Sequence, residues 1–115
     1  MDSCCVYLFL DMQTGGTKFG ISVCPRSRLS QLRCRDGYPG LVWFCAVEIM
    51  SLHARQAAKM LESSLRENHD NNAPGIMGGK LDFTDDRPAD VMGSLMSLVA
   101  IMPVIFPWAI WGWVK

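Results

Sequence analysis

The chain carries little of what marks several common protein classes. Its 115 residues contain 11 Lys plus Arg and 11 Asp plus Glu, so neither sign of charge is in excess. This balance excludes a strongly basic nucleic-acid coat protein and a strongly acidic tail. Charged residues make up 19% and hydrophobic residues 50%, a proportion that excludes wholesale disorder. The length suits one ordinary domain.

Histidine is scarce, and the cysteine spacing does not suit zinc. The two histidines are His53 and His69, and the five cysteines form no C-x-x-C pair. The odd number of cysteines and the acidic start at 1–3 predict reduced thiols in a cytoplasmic compartment rather than a secreted chain. We therefore expect the cysteines to be small buried hydrophobic residues.

Hydrophobic periodicity predicts an α/β (α+β) fold, with a small three-stranded antiparallel sheet flanked by helices. The predicted elements, in chain order, are strands over 4–10 and 18–23 joined by a Gly15-Gly16 hairpin loop, a helix over 25–34, a strand over 41–50, a helix that Ser51 caps and that ends near Asn68, and a candidate edge strand over 80–83. In the second strand, Gly20 lacks a side chain, which leaves room for another group to approach the backbone.

The C-terminal segment is apolar. Residues 91–114 contain no charged side chain and would be long enough to cross a bilayer, with three tryptophans near the end as in an interfacial belt. Pro103 and Pro107 would interrupt a helix there. Three interpretations stay open: a membrane tail, a packed last helix, and a hydrophobic interface to a protein partner. We divide the chain into an α/β domain over 1–90, with a helix over 88–100 as a candidate to complete it, and an apolar segment over 91–115.

Positive charge is concentrated in the first predicted helix. Arg26, Arg28, Arg33 and Arg35 fall within ten positions, although the whole chain is neutral. A local basic stripe binds phosphate groups, and the helix N-terminus near Pro25 offers unsatisfied N–H groups to an anion. We therefore predict nucleic-acid binding by Arg26, Arg33 and Arg35.

Several short motifs resemble, in order and spacing, those of the GIY-YIG nuclease superfamily. Cys5-Val6-Tyr7 resembles the first signature, and 18–22 (KFGIS) resembles the second in the KIG form of the small phage-type branch. Residues 22–32 resemble the helix that follows. Residues 61–65 (LESSL) resemble the helix with the family's acidic residue, and 79–83 resemble the branch's short late strand.

This resemblance implies a DNA endonuclease that hydrolyses phosphodiester bonds with one divalent metal ion, usually Mg²⁺. By the same resemblance, Tyr7 would orient or deprotonate the attacking water, Arg28 would neutralise phosphate charge, and Glu62 would ligate the metal. Lys18 stands where many members have a second tyrosine, and it completes the predicted catalytic set. Arg66 replaces a histidine that the branch often has. These departures leave open a non-catalytic nucleic-acid-binding module on the same fold. The charge-free C-terminal segment leaves open a membrane-attached accessory protein.

The chemistry of these residues is consistent with both catalytic and structural roles. A tyrosine is a poor base at its usual pKa of about 10, so it needs a neighbouring lysine or metal. Lys18 lies on the facing strand of the predicted hairpin, which makes a pair with Tyr7 feasible. As alternatives, Tyr7 is a core residue, Lys18 an ordinary strand-end lysine and Arg28 a solvated helix residue. Glu62 has an alternative too, because Lys59 and Arg66 lie at ion-pair spacing from it on a helix.

Overall fold

The structure is a computed structural model, and it describes residues 2–69 and 83–114. Its elements are β1 (Asp2–Asp11), β2 (Thr17–Ser22), α1 (Pro25–Cys34), β3 (Leu41–Ser51), α2 (Ala54–Asn68), β4 (Phe83–Thr84), α3 (Pro88–Ile105) and β5 (Ile110–Trp113). The five strands form one antiparallel sheet in the order β4-β2-β1-β3-β5. The mixed α/β class is confirmed.

The expected number of strands was wrong. The sheet has five strands rather than three, because two short strands extend the predicted β2-β1-β3 core at its two edges. β4 pairs with β2, and it includes Phe83 from the candidate edge strand; residues 80–82 lie outside the described residues. β5 was missed because a four-residue strand inside a continuous apolar run leaves no alternation to detect.

The two faces of the sheet form separate clusters, because successive side chains of a strand point to opposite sides. Val6 and Leu8 of β1 pack under α2 and α3, in a cluster that is mostly aliphatic. Tyr7 and Phe9 pack under α1, together with Leu32 of that helix. The α1 face is therefore smaller and more aromatic than the α2 and α3 face.

The start of α2 differs from the prediction. The N-cap residue is His53, while Ser51 ends β3, so the assignment of Ser51 as the cap was wrong. The Ser51 hydroxyl nevertheless accepts a hydrogen bond from the His53 backbone N–H at 3.2 Å. β3 continues to Ser51 because its pairing with β1 runs to the Asp2–Ser51 pair.

The apolar segment takes part in the folded domain. α3 begins at Pro88 and buries Val91, Leu95, Val99 and Met102 in the core cluster of α2. β5 then pairs with β3. By length and composition, α3 is also the one helix, within the part of the chain that the structure describes, that could cross a membrane. It ends two residues beyond Pro103, and Pro107 follows in the turn to β5.

Candidate functional site

Tyr7 and Lys18 meet on the α1 face of the β1–β2 hairpin. Tyr7 pairs with Gly20 in the antiparallel register, and Lys18 lies two residues before that glycine on the same side of β2. The Lys18 ammonium donates a hydrogen bond to the Tyr7 hydroxyl at 3.2 Å and another to the Phe19 carbonyl at 2.8 Å. The contact between Tyr7 and Lys18, which the sequence made feasible, is therefore present in the structure.

Gly20 makes this contact feasible. A Cβ atom at that position would lie 2.4 Å from the Tyr7 hydroxyl oxygen and 2.7 Å from its ring carbon Cζ. Real atoms do not approach so closely, so any side chain at Gly20 would displace the tyrosine. The group that approaches the bare backbone of β2 is therefore the Tyr7 ring of the same sheet.

Aromatic rings surround the Lys18 ammonium. It lies 5.2 Å from the Tyr7 ring centroid and 5.9 Å from that of Phe83, whose ring packs at a tilt against Tyr38. Only 2% of Tyr7 and 3% of Lys18 are exposed. The attraction of an ammonium to aromatic rings strengthens as water is excluded. The same burial keeps bulk solvent away from the phenol.

Arg28 lies on α1, the helix that covers this face, and a carboxylate is already near it. Its guanidinium is 3.8 Å from the Asp36 carboxylate and 3.5 Å from the Gln31 side-chain oxygen. Both charged side chains of the pair are partly exposed, so the pair is weak and solvent-screened. Arg28 is thus available to an incoming anion that displaces Asp36.

The structure does not bring Glu62 to the Tyr7 face. Glu62 lies on α2, which packs against the opposite side of the sheet, over Val6 and Leu8. Its carboxylate is 3.5 Å from the guanidinium of Arg66 at i,i+4 spacing. The helix pair foreseen as the structural alternative is therefore present.

The residues do not fit the single-metal site that the resemblance implies. In the described ranges, no three His, Cys, Asp or Glu side chains come together as a metal-binding group. Mg²⁺ can be held by a single carboxylate with water, which leaves Glu62 as the anchor. A metal held by Glu62 on α2 would then be separated by the sheet from the Tyr7 ring, so we derive no step through a metal.

The three arginines predicted to bind nucleic acid, Arg26, Arg33 and Arg35, are exposed around α1, and one of them stacks on a tryptophan. The Arg26 guanidinium lies 3.8 Å from the ring centroid of Trp43 on β3. Arg33 follows Arg26 by two helical turns and therefore projects from the same side of the helix, while Arg35 caps its C-terminus. Among the described residues, 2–69 and 83–114, no carboxylate lies within 4.0 Å of these three guanidinium groups.

Sequence reasoning counted Trp43 only as part of a strand and missed its contact with Arg26. The signal was its pairing position: Trp43 lies opposite Phe9 and next to the bulge between Leu8 and Phe9, which turns its ring to the α1 face. That position becomes visible only when the strand register is known. A shallow pocket of about 230 Å³, lined in part by Arg33 and Cys34, lies beside the helix.

A second polar cluster lies at the C-terminal end of α2. The His69 ring contacts the Asp86 carboxylate through Nδ1 at 2.5 Å and the Ser94 hydroxyl through Nε2 at 2.9 Å. Thr17 donates a hydrogen bond to the Asp86 carbonyl at 2.8 Å. His69 follows α2, Ser94 lies in α3 and Thr17 lies in β2. Because the hydrogen bonds of the cluster connect these three elements, we interpret it as structural.

The cysteines are free thiols with different environments. Burial raises the pKa of Cys5 and of Cys45 to about 11. A hydrogen bond between the exposed Cys24 thiol, at the N-cap of α1, and the Ser27 side chain lowers the pKa of that thiol. Buried Cys4 and Cys5 confirm the expected hydrophobic role, whereas Cys24 and Cys34 are exposed and do not.

Comparison with known proteins adds no relative: no family model, no curated protein and no solved structure matches this chain. The geometry of the site and the motifs of the sequence are therefore what bear on function.

Proposed function

We propose that the chain is a DNA-binding domain that contacts the phosphodiester backbone through α1. The observation that carries this proposal is the stacking of the Arg26 guanidinium on Trp43 at 3.8 Å, with Arg33 exposed on the same side of the helix. The contact with Trp43 holds Arg26, which belongs to the basic stripe predicted from the sequence, in a defined position.

Stacking suits a guanidinium for phosphate binding. The ring covers one face of the planar group and leaves its N–H edge free to donate to phosphate oxygens. A side chain held this way loses less conformational freedom on binding than a solvated one. The lack of a nearby carboxylate in the described residues means that Arg26 and Arg33 need not give up an ion pair to bind.

The expected binding is electrostatic and indifferent to base sequence. The chain has no net charge, so affinity rests on this local cluster rather than on the overall field. Contacts to phosphate position a protein on DNA, whereas base contacts provide specificity, and α1 offers arginines without a recognisable base-reading set. Affinity should therefore fall steeply with salt.

Fluorescence anisotropy with a labelled duplex over a salt series tests the proposal. For Arg26→Gln/Arg33→Gln, we expect weaker binding and a slope of log affinity against log salt that is shallower by about 0.9 for each lost phosphate contact. Lys59→Gln is the matched control, because it removes an exposed cation from α2. Equal losses in both variants, or binding of the wild type that does not depend on salt, would contradict the assignment.

Hydrolysis of the bound DNA is a second candidate function, and the Tyr7–Lys18 hydrogen bond favours it. A cation that donates to a phenol oxygen stabilises negative charge on that oxygen, and the resemblance gives Tyr7 the role of orienting or deprotonating the attacking water. Arg28 on the neighbouring helix would offset charge on the phosphate. The placement of Glu62 on α2 is why we rank hydrolysis second.

Plasmid nicking with and without Mg²⁺ separates the two candidates. If the protein is an endonuclease, Tyr7→Phe abolishes nicking while DNA binding stays intact, and Glu62→Gln does the same if that carboxylate holds the metal. Arg66→Gln serves as the control for simple loss of the helix ion pair. Salt-sensitive binding with no nicking by the wild-type protein would leave only the DNA-binding function.

A further inference from the structure

β5 forms one edge of the sheet, and its outer side carries backbone groups that bond to no other backbone group in the described part of the chain. On its inner side β5 pairs with β3, and the Val114 N–H donates to the Ala46 carbonyl at 2.9 Å. In an antiparallel pair, the backbone groups of successive residues point alternately toward and away from the partner strand. The N–H and C=O groups of Trp111 and Trp113 therefore point outward from the sheet.

The two edges of the sheet differ in how they are protected against pairing with another chain. Natural edges are commonly protected by a charged side chain, a proline, a bulge or a very short strand. The β4 edge is two residues long, and both of these residues are buried. β5 has no charged residue and no proline, and it pairs with β3 without a register shift. It also exposes Ile110 by 53% and Trp113 by 42%, so this edge is open to a further strand.

Gly112, in the middle of β5, suits the close approach of a second backbone. Glycine inside a strand weakens the strand, and it often marks a position that another backbone approaches. A Cβ atom at Gly112 would meet no atom within 4 Å, and the φ of this glycine is not positive. Neither packing nor backbone conformation within one chain therefore explains the glycine.

We propose that β5 pairs in antiparallel fashion with β5 of a second copy of the chain, about a two-fold axis next to Gly112. In this register Gly112 lies opposite its counterpart, and Trp111 of each copy lies opposite Trp113 of the other. The outward N–H and C=O groups of both tryptophans then pair across the axis. The strand is thus complementary to itself, and the two sheets of five strands join into one of ten.

The side chains of β5 suit the same register. Trp111 and Trp113 lie opposite Ile49 and Val47 of β3, so their rings are on the face that α2 and α3 cover. The two rings lie 5.9 Å apart, edge to face. The proposed register brings the tryptophans of both copies side by side, and aromatic cross-strand pairs of this kind stabilise antiparallel strands. No charged side chain of β5 opposes the approach of an identical strand.

Sedimentation velocity of the full chain over a concentration series tests the proposal. Because a four-residue strand gives a small interface, we expect a monomer–dimer equilibrium with a dissociation constant on the order of 10–100 μM. Trp113→Lys places like charges beside the two-fold axis and should weaken dimerisation by at least about tenfold. Trp108→Lys is the matched control, because Trp108 is 90% exposed but lies outside the strand, and it should leave the equilibrium unchanged.

Cross-linking tests the register without relying on a variant that weakens the dimer. In the background Cys24→Ser/Cys34→Ser, which removes two exposed thiols, Gly112→Cys places two identical thiols opposite each other at a spacing that suits a disulfide. Mild oxidation with oxidised glutathione should convert this variant to a covalent dimer. Ile110→Cys is the register control. Ile110 would lie opposite Val114 of the other copy, so its thiol should cross-link at least about tenfold more slowly.

Three results would each overturn the proposal. The first is a wild type that stays monomeric at concentrations several-fold above the expected dissociation constant. The second is an equal loss of dimer in the two tryptophan variants, which would show that association does not run through the strand. The third is equal cross-linking of the two cysteine variants. Arg26→Gln/Arg33→Gln should lose DNA binding and keep the dimer, so this proposal and the DNA-binding proposal fail separately.

Discussion

The two faces of the sheet differ in size and in the side chains that they bury. α1 buries only Pro25 and Leu32, and it lies over a face that contains a lysine, a tyrosine and exposed arginines. By contrast, α2 and α3 each bury five residues, and the face beneath them is mostly aliphatic. The aliphatic face carries most of the apolar burial that stabilises the fold. On our proposal, the aromatic face carries the groups that contact a phosphate.

This division explains why Tyr7 and Lys18 can remain polar inside a small domain. Their hydrogen bonds to each other and to the backbone lower the cost of burying them. The apolar burial under α2 and α3 offsets the rest of the free-energy cost of burying these two polar side chains. The comparison predicts that substitutions under α2 unfold the protein, whereas substitutions under α1 first change the site.

The largest effect should come from a cavity under α2. We expect Leu61→Ala to lower the free energy of unfolding by about 2–5 kcal/mol, because Leu61 is fully buried in the large cluster. Leu32→Ala under α1 should fall at the lower end of that range, since a helix with two buried residues can relax into the space. Urea denaturation measures both. A larger loss for Leu32→Ala would reverse the proposed division.

A methyl group at Gly20 should break the site with a smaller loss of stability. The Cβ of Gly20→Ala would overlap the Tyr7 hydroxyl, so the ring must move away from Lys18. Overpacking of this kind costs about 1–3 kcal/mol. Gly93→Ala on α3 is the matched control, because its Cβ meets nothing within 4 Å, and the change should stabilise the helix by roughly 0.5–1 kcal/mol. Equal effects from the two substitutions in thermal unfolding would contradict the described contact.

Removal of the phenol oxygen should cost less again. In Tyr7→Phe, the Lys18 ammonium loses one acceptor and keeps the Phe19 carbonyl, so we expect a loss of about 1 kcal/mol. The ring still fills the space over Gly20 and still stacks on Phe9 at 4.3 Å. Denaturation of the variant beside the wild type gives the value, and a loss as large as that of Leu61→Ala would show that this face, too, is essential for stability.

Thiol reactivity should distinguish exposed from buried cysteines without changing stability. The hydrogen bond between Cys24 and the Ser27 side chain lowers the pKa of Cys24, so more of this exposed thiol is thiolate at neutral pH. Burial holds Cys5 and Cys45 at a pKa of about 11, so these thiols stay protonated and shielded. Iodoacetamide followed by peptide mass spectrometry should find Cys24 alkylated well before either of them. Ser27→Ala should slow the reaction at Cys24, and early alkylation of Cys5 in the folded protein would refute the described burial.

Much of the fold could be predicted from the sequence because its main strands and helices have strong patterns. The alternation in 18–23 and the apolar stripe of α2 at Ala57, Leu61 and Leu65 gave elements close to the observed ones. β4 and β5 are different, since strands of two and four residues exist through pairing with β2 and β3 rather than through their own periodicity.

Less of the site could be predicted, because side chains from distant segments meet only in the fold. The Tyr7–Lys18 pair was accessible from the hairpin, whose register follows from the chain itself. The face on which α2 packs was not, and this face decides whether Glu62 can meet Tyr7. The contact of Arg26 with Trp43 and the cluster of His69 with Asp86 and Ser94 join residues 17 to 25 positions apart, beyond any local pattern.

NMR titration of the ¹⁵N-labelled chain with a DNA duplex at low salt tests the central claim most directly. Our account predicts that chemical shifts change along α1 and at the Trp43 indole N–H, while the amides of α3 stay in place. Shift changes centred on α2 or α3, with α1 unaffected, would contradict the assignment of the aromatic face as the phosphate-binding side of this protein.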